Sequence, residues 1–385
     1  MTFKEYIMED ALESIIDYRG KTPEKSDSGI PTLSAKSVKN NFIDYSECYY
    51  ISKDEYKRFM VRGFPKIGDI LLTTEAPMGL CAKLDRDDVA IAQRLLTLRG
   101  KKGVLDNDYL LYLIQSPYGQ SLLKAKETGT TVTGIKQSEF KKIIIKLPEY
   151  DIQVKTSRIL TQIDEKIKTN RTINDNLQQQ AQAIFANAFP YDPDDELPVG
   201  WRKGTVGDIV DIHDSKRIPL SGAQRDKMTK RTYPYYGAAS LMDYVDDFIF
   251  DGTYLLLGED GTVIDDAGYP ILQYVWGQFW VNNHAHILTG RNEFTVESLM
   301  LLFKRTPVKS IVTGAVQPKI SQANLRSIPV VIPAADVLKE FNTLIAPMFD
   351  QIRYNTDQNK ALAQLRDALL PKLMSGEIDV SEVII

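Results

Sequence analysis

Apolar residues recur every three or four positions between residues 151 and 189, which is the spacing at which side chains line one face of an α-helix. This stretch contains neither Pro nor Gly. It therefore predicts a single helix of about 39 residues, roughly 58 Å long if it is continuous.

Two asparagines lie on the apolar face of this predicted helix. Asn is a poor helix former and is costly to bury, so a simple helical core would not place Asn170 and Asn174 there. The other members of this face are apolar: Ile163, Ile167 and Leu177. The face is therefore predicted to meet something other than a purely apolar surface.

The same pattern returns 185 residues later, where Asn355 and Asn359 take the places of the two asparagines. Twelve of the 57 positions from 129 to 185 are identical at this offset, and no gap is needed. Ordinary composition would give roughly three or four identities. The apolar partners repeat as well, as Ile352 and Leu362. These identities indicate an internal duplication.

The two long helical patterns alternate with two stretches of mixed character. Residues 1–148 contain short β-type runs, such as "DILLTT", "VAIAQRLLTL" and "KKIIIKLP", and one predicted helix near 107–126. The run "FPYDPDDELPVG" then interrupts the chain with three prolines, as a linker does. Residues 201–333 predict a second globule, with strands such as "TYLLLG" and "HAHIL".

The second helical pattern, from Asp336, contains two prolines. Pro347 and Pro371 predict a helix that is kinked or split at these points, because proline lacks the amide donor and clashes with the preceding turn. Gly376 is a plausible helix stop.

The order globule, helix, globule, helix predicts a geometry. If a rough twofold axis relates the halves, the helices run antiparallel and form a coiled-coil spacer between the globules. The asparagines would then fix the helix register or bond to the helices of a partner. A position just outside the seam, in solvent, is the alternative.

Composition limits the kind of protein. The chain has 385 residues, 43% of them apolar and 25% charged, which is typical of a globular protein with two to three domains. Two cysteines cannot form a disulfide framework, and no apolar run approaches the ~20 residues of a membrane span. The acidic N-terminus does not resemble a signal peptide. These features predict a cytoplasmic protein without a membrane association.

Several strings resemble type I restriction-modification specificity subunits. The helical regions "LPEYDIQVKTSRILTQIDEKIKTNRTINDNLQQQAQAIFANAF", preceded by "GTTVTGIKQSEF", and "NKALAQLRDALLPKLMSGEI" are similar to the two conserved regions of that family. The strings "GDILLTTE", "YPYYGAAS" and "FWVNNHAHIL" lie in the globules. Each string alone is weak, but their order covers the whole chain. One departure is that little conserved sequence precedes Ala11 to Pro23, which resembles the opening of the first recognition domain.

The resemblance implies an α+β fold with two α/β target-recognition domains separated by two long antiparallel helices. The domains would span residues 1–148 and 190–333, and the conserved helical regions 149–189 and 334–385. It also implies double-stranded DNA, two methyltransferase subunits and restriction (translocase) subunits as partners. No cofactor is implied on this chain, because S-adenosylmethionine and ATP would be bound by the partner subunits. The globules align poorly with each other, so the two halves of a bipartite, asymmetric target should differ.

Charge supports DNA binding only locally. Residues 1–148 contain 23 basic and 20 acidic residues, and residues 149–189 contain 5 of each. Residues 190–333 contain 14 basic and 18 acidic residues, and residues 334–385 contain 5 and 8. Neither globule is strongly basic, so phosphate contacts must come from local clusters. Candidates are "YRGKTPEK", with Arg19, and "SKRIPLSGAQRDKMTKR".

Base recognition requires side chains that donate to and accept from base edges. In the first globule the candidates are Lys21, Lys36, Thr74, Glu75, Arg94, Thr130, Thr131 and Lys136. In the second they are Lys216, Arg217, Tyr236, Asn283, His284, Gln317 and Lys319. The loops at 130–136 and 317–319 occupy equivalent places before the repeated helices.

Catalytic motifs do not account for the chain. It has no Walker A loop, no H-E-x-x-H pair and no Asn-Pro-Pro-Tyr-type motif, so methyl transfer is not expected of it. His284 and His286 could form a metal pair, but no third ligand is evident and no metal is predicted. Two alternatives remain: a coiled-coil adaptor that binds only protein, and a magnesium-dependent nuclease.

Overall fold

The computed structural model describes residues 2–18, 20–129, 133–314 and 316–383. The chain divides into two compact units. The first unit comprises Met1–Thr169 together with Gln358–Ile385, and the second comprises Asn170–Asp357. Each unit therefore combines one globule with a part of each long helix.

The strands of the first unit are short and mostly antiparallel. They are β1 (Lys4–Ile7), β2 (Leu12–Asp17), β3 (Ile30–Leu33), β4 (Val38–Lys39), β5 (Phe42–Ile43), β6 (Tyr49–Ile51), β7 (Ile70–Thr73), β8 (Cys81–Lys83), β9 (Ala90–Ile91), β10 (Leu95–Gly100) and β11 (Ile144–Leu147). One sheet has the order β2-β10-β7-β8, and a second has the order β6-β3-β9, in which β3 and β9 are parallel. β1 pairs with β11, and β4 with β5.

Six α-helices begin in the first unit: α1 (Met8–Ala11), α2 (Lys53–Phe59), α3 (Asn107–Gln115), α4 (Pro117–Ala125), α5 (Gln137–Phe140) and α6 (Tyr150–Ala188), with a 3₁₀ turn at Tyr45–Glu47. The single helix predicted near 107–126 is wrong, because the structure has two. Ser116 ends α3, and its side chain accepts from the amide of Gly119 as the N-cap of α4. Pro117 occupies the first turn of α4, where no amide donor is needed.

The second unit repeats this plan with a larger sheet. Its strands are β12 (Arg202–Thr205), β13 (Val210–Ile212), β14 (Tyr233–Tyr236), β15 (Leu241–Val245), β16 (Phe250–Gly258), β17 (Leu272–Val281), β18 (Ala285–Gly290) and β19 (Pro329–Ile332). Six of them form a sheet of order β13-β18-β16-β17-β14-β15, and β12 pairs with β19. The pair β14 and β17 is parallel, as β3 and β9 are in the first unit.

The helices of the second unit are α7 (Val206–Ile209), α8 (Gly222–Asp226), α9 (Val296–Phe303), α10 (Gln322–Arg326) and α11 (Ala335–Ser375), with 3₁₀ turns at Asp214–Lys216 and Lys309–Ile311. The helix expected to be kinked or split at Pro347 is not split there, because α11 is continuous. A helical proline costs about 3 kcal/mol. Ile345 and Phe349, on either side of it, are both buried, and their burial offsets that cost.

The second proline does not interrupt α11 either. Pro371 lies in its last turns, between the buried side chains of Leu370 and Leu373. The helix ends at Ser375, and Gly376 follows with a φ of 77°, a conformation that glycine adopts without strain. The predicted helix stop is thus confirmed.

In each unit, the parts of α6 and α11 run in opposite directions and share the core of the globule. In the second unit, Phe185 contacts Phe341 edge to face at 5.5 Å, and the same core contains Val206 and Val330 of the globule. In the first unit, Leu160 and Leu370 belong to the core that also holds the residues of α3. Each globule is therefore packed onto its own part of the helices.

Polar contacts reinforce this attachment. In the first unit, Asp164 of α6 binds Arg366 of α11 at 2.7 Å and accepts from the hydroxyl of Tyr112 at 2.7 Å. In the second unit, Arg353 of α11 binds Glu297 of α9 at 2.9 Å. No helix among the described residues combines the length and apolar character that crossing a membrane requires.

The asparagines of the second unit are buried in the contact between the helices. The Asn174 side-chain amide donates to the carbonyl of Ile352 at 3.2 Å and to the hydroxyl of Thr356 at 3.1 Å. The Asn355 amide donates to Asn174 Oδ1 at 2.9 Å. A solvent position is thus excluded for this pair. Because their hydrogen bonds need one particular alignment, the two asparagines favour a single helix register.

We predict that Asn174→Ala lowers the free energy of unfolding by about 1 to 3 kcal/mol, because it leaves the buried amide of Asn355 without its acceptor. The double replacement of Asn174 and Asn355 by Leu should cost less than the sum of the two single replacements, since it removes both polar groups. Urea unfolding measures these differences. Asn176→Ala, on the exposed face of the same helix, is the control. Additive losses would contradict the prediction.

Candidate nucleic-acid interface

In the first unit, the end of strand β7 lies beside the loop that leads to α5. Thr128 and Gly134 close this loop by exchanging backbone hydrogen bonds of 2.8 and 3.0 Å. The next amide, of Ile135, donates to the Thr74 carbonyl at 2.9 Å, which fixes the loop against the end of the strand. A Cβ at Gly134 would lie 2.6 Å from the Thr74 oxygen, so only glycine permits this approach.

An ion pair lies next to this loop. Arg94 Nε is 2.9 Å from Glu75 Oε1, and the Arg94 carbonyl accepts from the Thr74 amide at 3.0 Å. The Arg94 side chain is 51% exposed. A guanidinium donates to the acceptors of guanine, and a carboxylate accepts from the amino group of cytosine. The pair therefore offers both kinds of group at one exposed place.

The second unit has the same arrangement with different side chains. Thr313 and Lys319 exchange backbone hydrogen bonds of 2.8 and 2.7 Å, and the amide of Ile320 donates to the Glu259 carbonyl at 2.8 Å. Asp260, after strand β16, binds the imidazole of His284. Gln317 of the loop donates to the same carboxylate at 3.3 Å.

The strand pairings show that these sites are equivalent. Leu72 of β7 pairs with Leu96, and Leu257 of β16 pairs with His286. Glu75 and Asp260 each lie three positions after the strand leucine of their unit. Glu75 binds Arg94, and Asp260 binds His284. Arg94 and His284 each lie two positions before the residue that pairs with the leucine. The duplicated fold thus presents different chemistry at one place.

A buried charged network supports the loop of the second unit. Arg217 Nη1 lies 2.5 Å from Glu259 Oε2, and its Nη2 lies 3.4 Å from Asp214. Lys319 Nζ is 3.3 Å from Glu259 Oε1. Asp214 Oδ2 lies 2.6 Å from His286 Nδ1. Burial by itself would raise the pKa of Asp214, but the hydrogen bonds from His286 and Ile287 and the charge of Arg217 lower it below its ordinary value.

This network also contains a potential ligand set for a metal ion. Asp214, Glu259 and His286 each offer one ligand atom, and these atoms lie within 4.8 Å of one another. The guanidinium of Arg217 and the ammonium of Lys319 already neutralise the two carboxylates. The network is therefore explained as a set of ion pairs. The two histidines that suggested a metal pair have different partners, Asp260 and Asp214.

Two predicted base-reading residues require correction, because their side chains are not available. Thr74 is only 1% exposed, under the loop closed by Gly134. Arg217 has a side chain that is 13% exposed, and it is held by Asp214, Glu259 and the Ala285 carbonyl. Both residues support the loops instead of facing solvent.

The other predicted residues lie at three kinds of position. Lys136 is exposed next to the first loop, and Asn283, His284, Gln317 and Lys319 surround the second. Lys21, Lys36 and Lys216 are exposed on other segments. Tyr236 is half-buried, with its ring 5.9 Å from that of Phe279. Arg19, Thr130 and Thr131 lie outside the described residues.

Sequence reasoning missed the acidic members of the second site, namely Asp214, Glu259 and Asp260, and it considered His286 only as a metal ligand. It favoured basic and amide side chains, since these recognise DNA most often. The one available signal was that "GED" follows the same strand pattern as "TTE" in the first half. Only folding brings Asp214 to these residues, because 45 positions separate it from Glu259.

The basic segment at 215–231 is anchored by acids of strand β15 and the turn after it. Arg225 binds Asp243 at 2.9 Å. Asp246 accepts from the amides of Thr229, Lys230 and Arg231 at 3.1, 2.7 and 2.7 Å. Lys216, Lys227, Lys230 and Arg231 are exposed, so four of the six basic residues face solvent.

Comparison with known proteins defines the class to which this fold and site belong. The model of the type I restriction modification DNA specificity domain matches twice, at residues 9–179 and 198–365. The chain therefore belongs to the type I restriction-modification specificity family. As a family member it is a non-catalytic specificity subunit with two DNA-recognition domains, and it functions in recognition of a DNA target.

Individual relatives agree with this assignment. The chain is 26% identical, over 92% of its own length and 88% of the relative's, to the type I restriction enzyme MjaIX specificity subunit of Methanocaldococcus jannaschii. It is 29% identical, over 37% of its own length and 35% of the relative's, to a putative type I restriction enzyme specificity subunit, S.HindORF215P, of Haemophilus influenzae. Its fold is similar to the crystal structure of a type I restriction-modification system S subunit from M. genitalium, with a TM-score of 0.61 and 16% sequence identity. The similarity covers 97% of this chain and 96% of that S subunit.

We predict that Asp246→Ala releases the basic segment and speeds tryptic cleavage after Lys227 and Lys230. The backbone hydrogen bonds, above all that from Arg231, lower the pKa of Asp246. The anchor is therefore complete above the ordinary value of 3.8 and is lost only as the pH falls through the lowered value, so at neutral pH the substitution removes it. Asp247→Ala, at the exposed neighbouring position, is the control. Equal cleavage rates in both variants would contradict the prediction.

Proposed function

We propose that each unit recognises one half of a bipartite, asymmetric DNA target. The observation that carries this proposal is the pair of equivalent loops, each beside a carboxylate and a basic side chain, with arginine in one unit and histidine in the other. The two loops have equivalent backbone hydrogen bonds and different side chains, which is suited to recognising two half-sites of different sequence. Recognition by one domain alone would give the second loop no role.

In this proposal the exposed groups around the loops contact bases. They are Glu75, Arg94 and Lys136 in the first unit, and Asn283, His284, Gln317 and Lys319 in the second. Their types support this role, because Arg and Lys donate to guanine and Asn and Gln bond to adenine on two sites. The exposed Lys21, Lys36 and Lys216 would contact phosphates, which position the protein without specifying sequence. Tyr236 is too buried for more than an edge contact.

We also propose that the repeated helices bind two copies of one methyltransferase subunit, and that restriction subunits join this assembly. The support is the gapless repeat of the helical residues, since the same surface present twice should bind the same partner twice. The side chains proposed to define this surface and its seam are Ile163, Ile167, Asn170, Asn174, Leu177, Ile352, Asn355, Asn359 and Leu362. S-adenosylmethionine and ATP would be bound by the partners.

The adaptor and nuclease alternatives have less support. An adaptor without DNA contact is at odds with two matches to a DNA specificity domain. A nuclease needs a metal-binding carboxylate cluster, and the one such group among the described residues is already neutralised by Arg217 and Lys319.

The decisive test exchanges residues 201–313 for the matching segment of another specificity subunit. We expect methylation-site sequencing of the complex with its methyltransferase to show one half-site altered and the other unchanged, because the exchanged segment carries the Asp260 and His284 side chains that lie beside the loop of the second unit. Exchange of residues 24–128 is the matched control and should alter the opposite half-site. A chimaera that changes both half-sites would show that the units do not act separately.

The partner number is tested separately. At saturating methyltransferase, native mass measurement should give two methyltransferase subunits per chain, because the docking surface is repeated. A stable complex containing a single methyltransferase would contradict the proposed stoichiometry.

A further inference from the structure

His286 is a fully buried histidine in the middle of the second recognition domain. It lies on β18, pairs with Leu257 of β16, and is 0% exposed. Its Nδ1 is 2.6 Å from Asp214 Oδ2, and its Nε2 is 2.8 Å from the carbonyl oxygen of Ile320. Both ring nitrogens therefore face oxygen atoms.

The oxygen atoms around the ring define how it is held. A carbonyl can only accept, so Nε2 must donate to Ile320. The Asp214 carboxylate already accepts from the side chain of Gln322 at 2.6 Å and from the amide of Ile287 at 3.0 Å. The Asp214 carboxylate therefore has partners on both of its oxygens, and its contact with Nδ1 holds the ring in the orientation that directs Nε2 to Ile320.

Charged side chains surround the ring. The carboxylates of Asp214 and Glu259 face the ring, with Glu259 Oε2 3.8 Å from Nδ1. Arg217 approaches the same two oxygens, Asp214 Oδ2 at 3.4 Å and Glu259 Oε2 at 2.5 Å, and Lys319 Nζ lies 3.3 Å from Glu259 Oε1. Each carboxylate is therefore paired with a cationic side chain, so neither is buried without a partner.

The contact with Ile320 connects this cluster to the recognition loop. Ile320 directly follows Lys319, whose backbone closes the loop with Thr313. The Ile320 amide donates to Glu259, and its carbonyl accepts from His286. This residue is therefore held on both sides of its backbone, and the loop is anchored at its C-terminal end.

We propose that His286 is a positioning residue of the second recognition domain, holding the loop at 313–320 in the conformation that faces DNA. The importance of this loop for recognition rests on the proposed function above. The first domain does not use this device, since the equivalent strand position is Leu96, an apolar side chain that cannot donate. The two loops are thus closed by equivalent backbone hydrogen bonds but have different means of support.

The experiment is amide hydrogen exchange on the full chain in complex with its methyltransferase, comparing His286→Leu with the unchanged protein. We expect the segment 313–320 to lose protection by about tenfold or more, as loss of one or two buried hydrogen bonds implies. Segments 128–135 and 252–258 should keep theirs. His213→Leu is the matched control, because this histidine contacts Thr289 on the same sheet and does not touch the loop. His286→Gln keeps one donor and should give an intermediate loss.

The outcomes separate the inference from the proposed function. Unchanged protection at 313–320 in His286→Leu would overturn the positioning role. Loss of protection throughout the second unit in both His286 variants would show a purely structural role and would also overturn it. Methylation-site sequencing then tests the function: relaxed discrimination in one half-site alone is expected. A loosened loop with both half-sites unchanged would instead show that the loop does not recognise DNA.

Discussion

The structure depends on the shared core between each globule and its parts of the two long helices. α6 and α11, like most helices in proteins, gain most of their stability from tertiary packing of one face. In the second unit Phe185, Phe189 and Phe341 form one aromatic cluster, and Val206 and Ile332 of the globule lie in the same core. A helix and a recognition domain with one core cannot move separately without exposing it.

This packing explains why the recognition loops lie where they do. Each loop is followed within a few residues by a short helix, an edge strand, β11 or β19, and then a long helix. The strand pairs with the first strand of its unit, and the helix is buried in the core. The strand and the long helix that follow each loop are therefore fixed, and the side chains of the loop are the part that can vary. The charged pairs beside the loops differ between the units while their backbone hydrogen bonds are the same within about 0.3 Å.

Polar groups inside the molecule have two separate uses. Asn174 and Asn355 bond to each other and fix the alignment of two helices, in a place where apolar residues would pack in several registers. Asp214, Arg217, Glu259 and His286 join three segments of the second domain around a recognition loop. In both cases every group has a charged or hydrogen-bonded partner, which is the condition for burying it at acceptable cost.

The sequence by itself determined the α+β class, the order of globules and helices, the duplication and the family, because periodicity and repeated residues are local properties of the chain. It also located the strands "DILLTT" and "HAHIL" and the full length of α6. It failed at Pro347, since the local penalty of a proline does not reveal the buried Ile345 and Phe349 that outweigh it. Only the tertiary structure decided that Thr74 is buried, that Arg217 is bound by two carboxylates, and that Asp214 meets His286, 72 positions away. These properties depend on which distant segments meet, and no residue spacing records that.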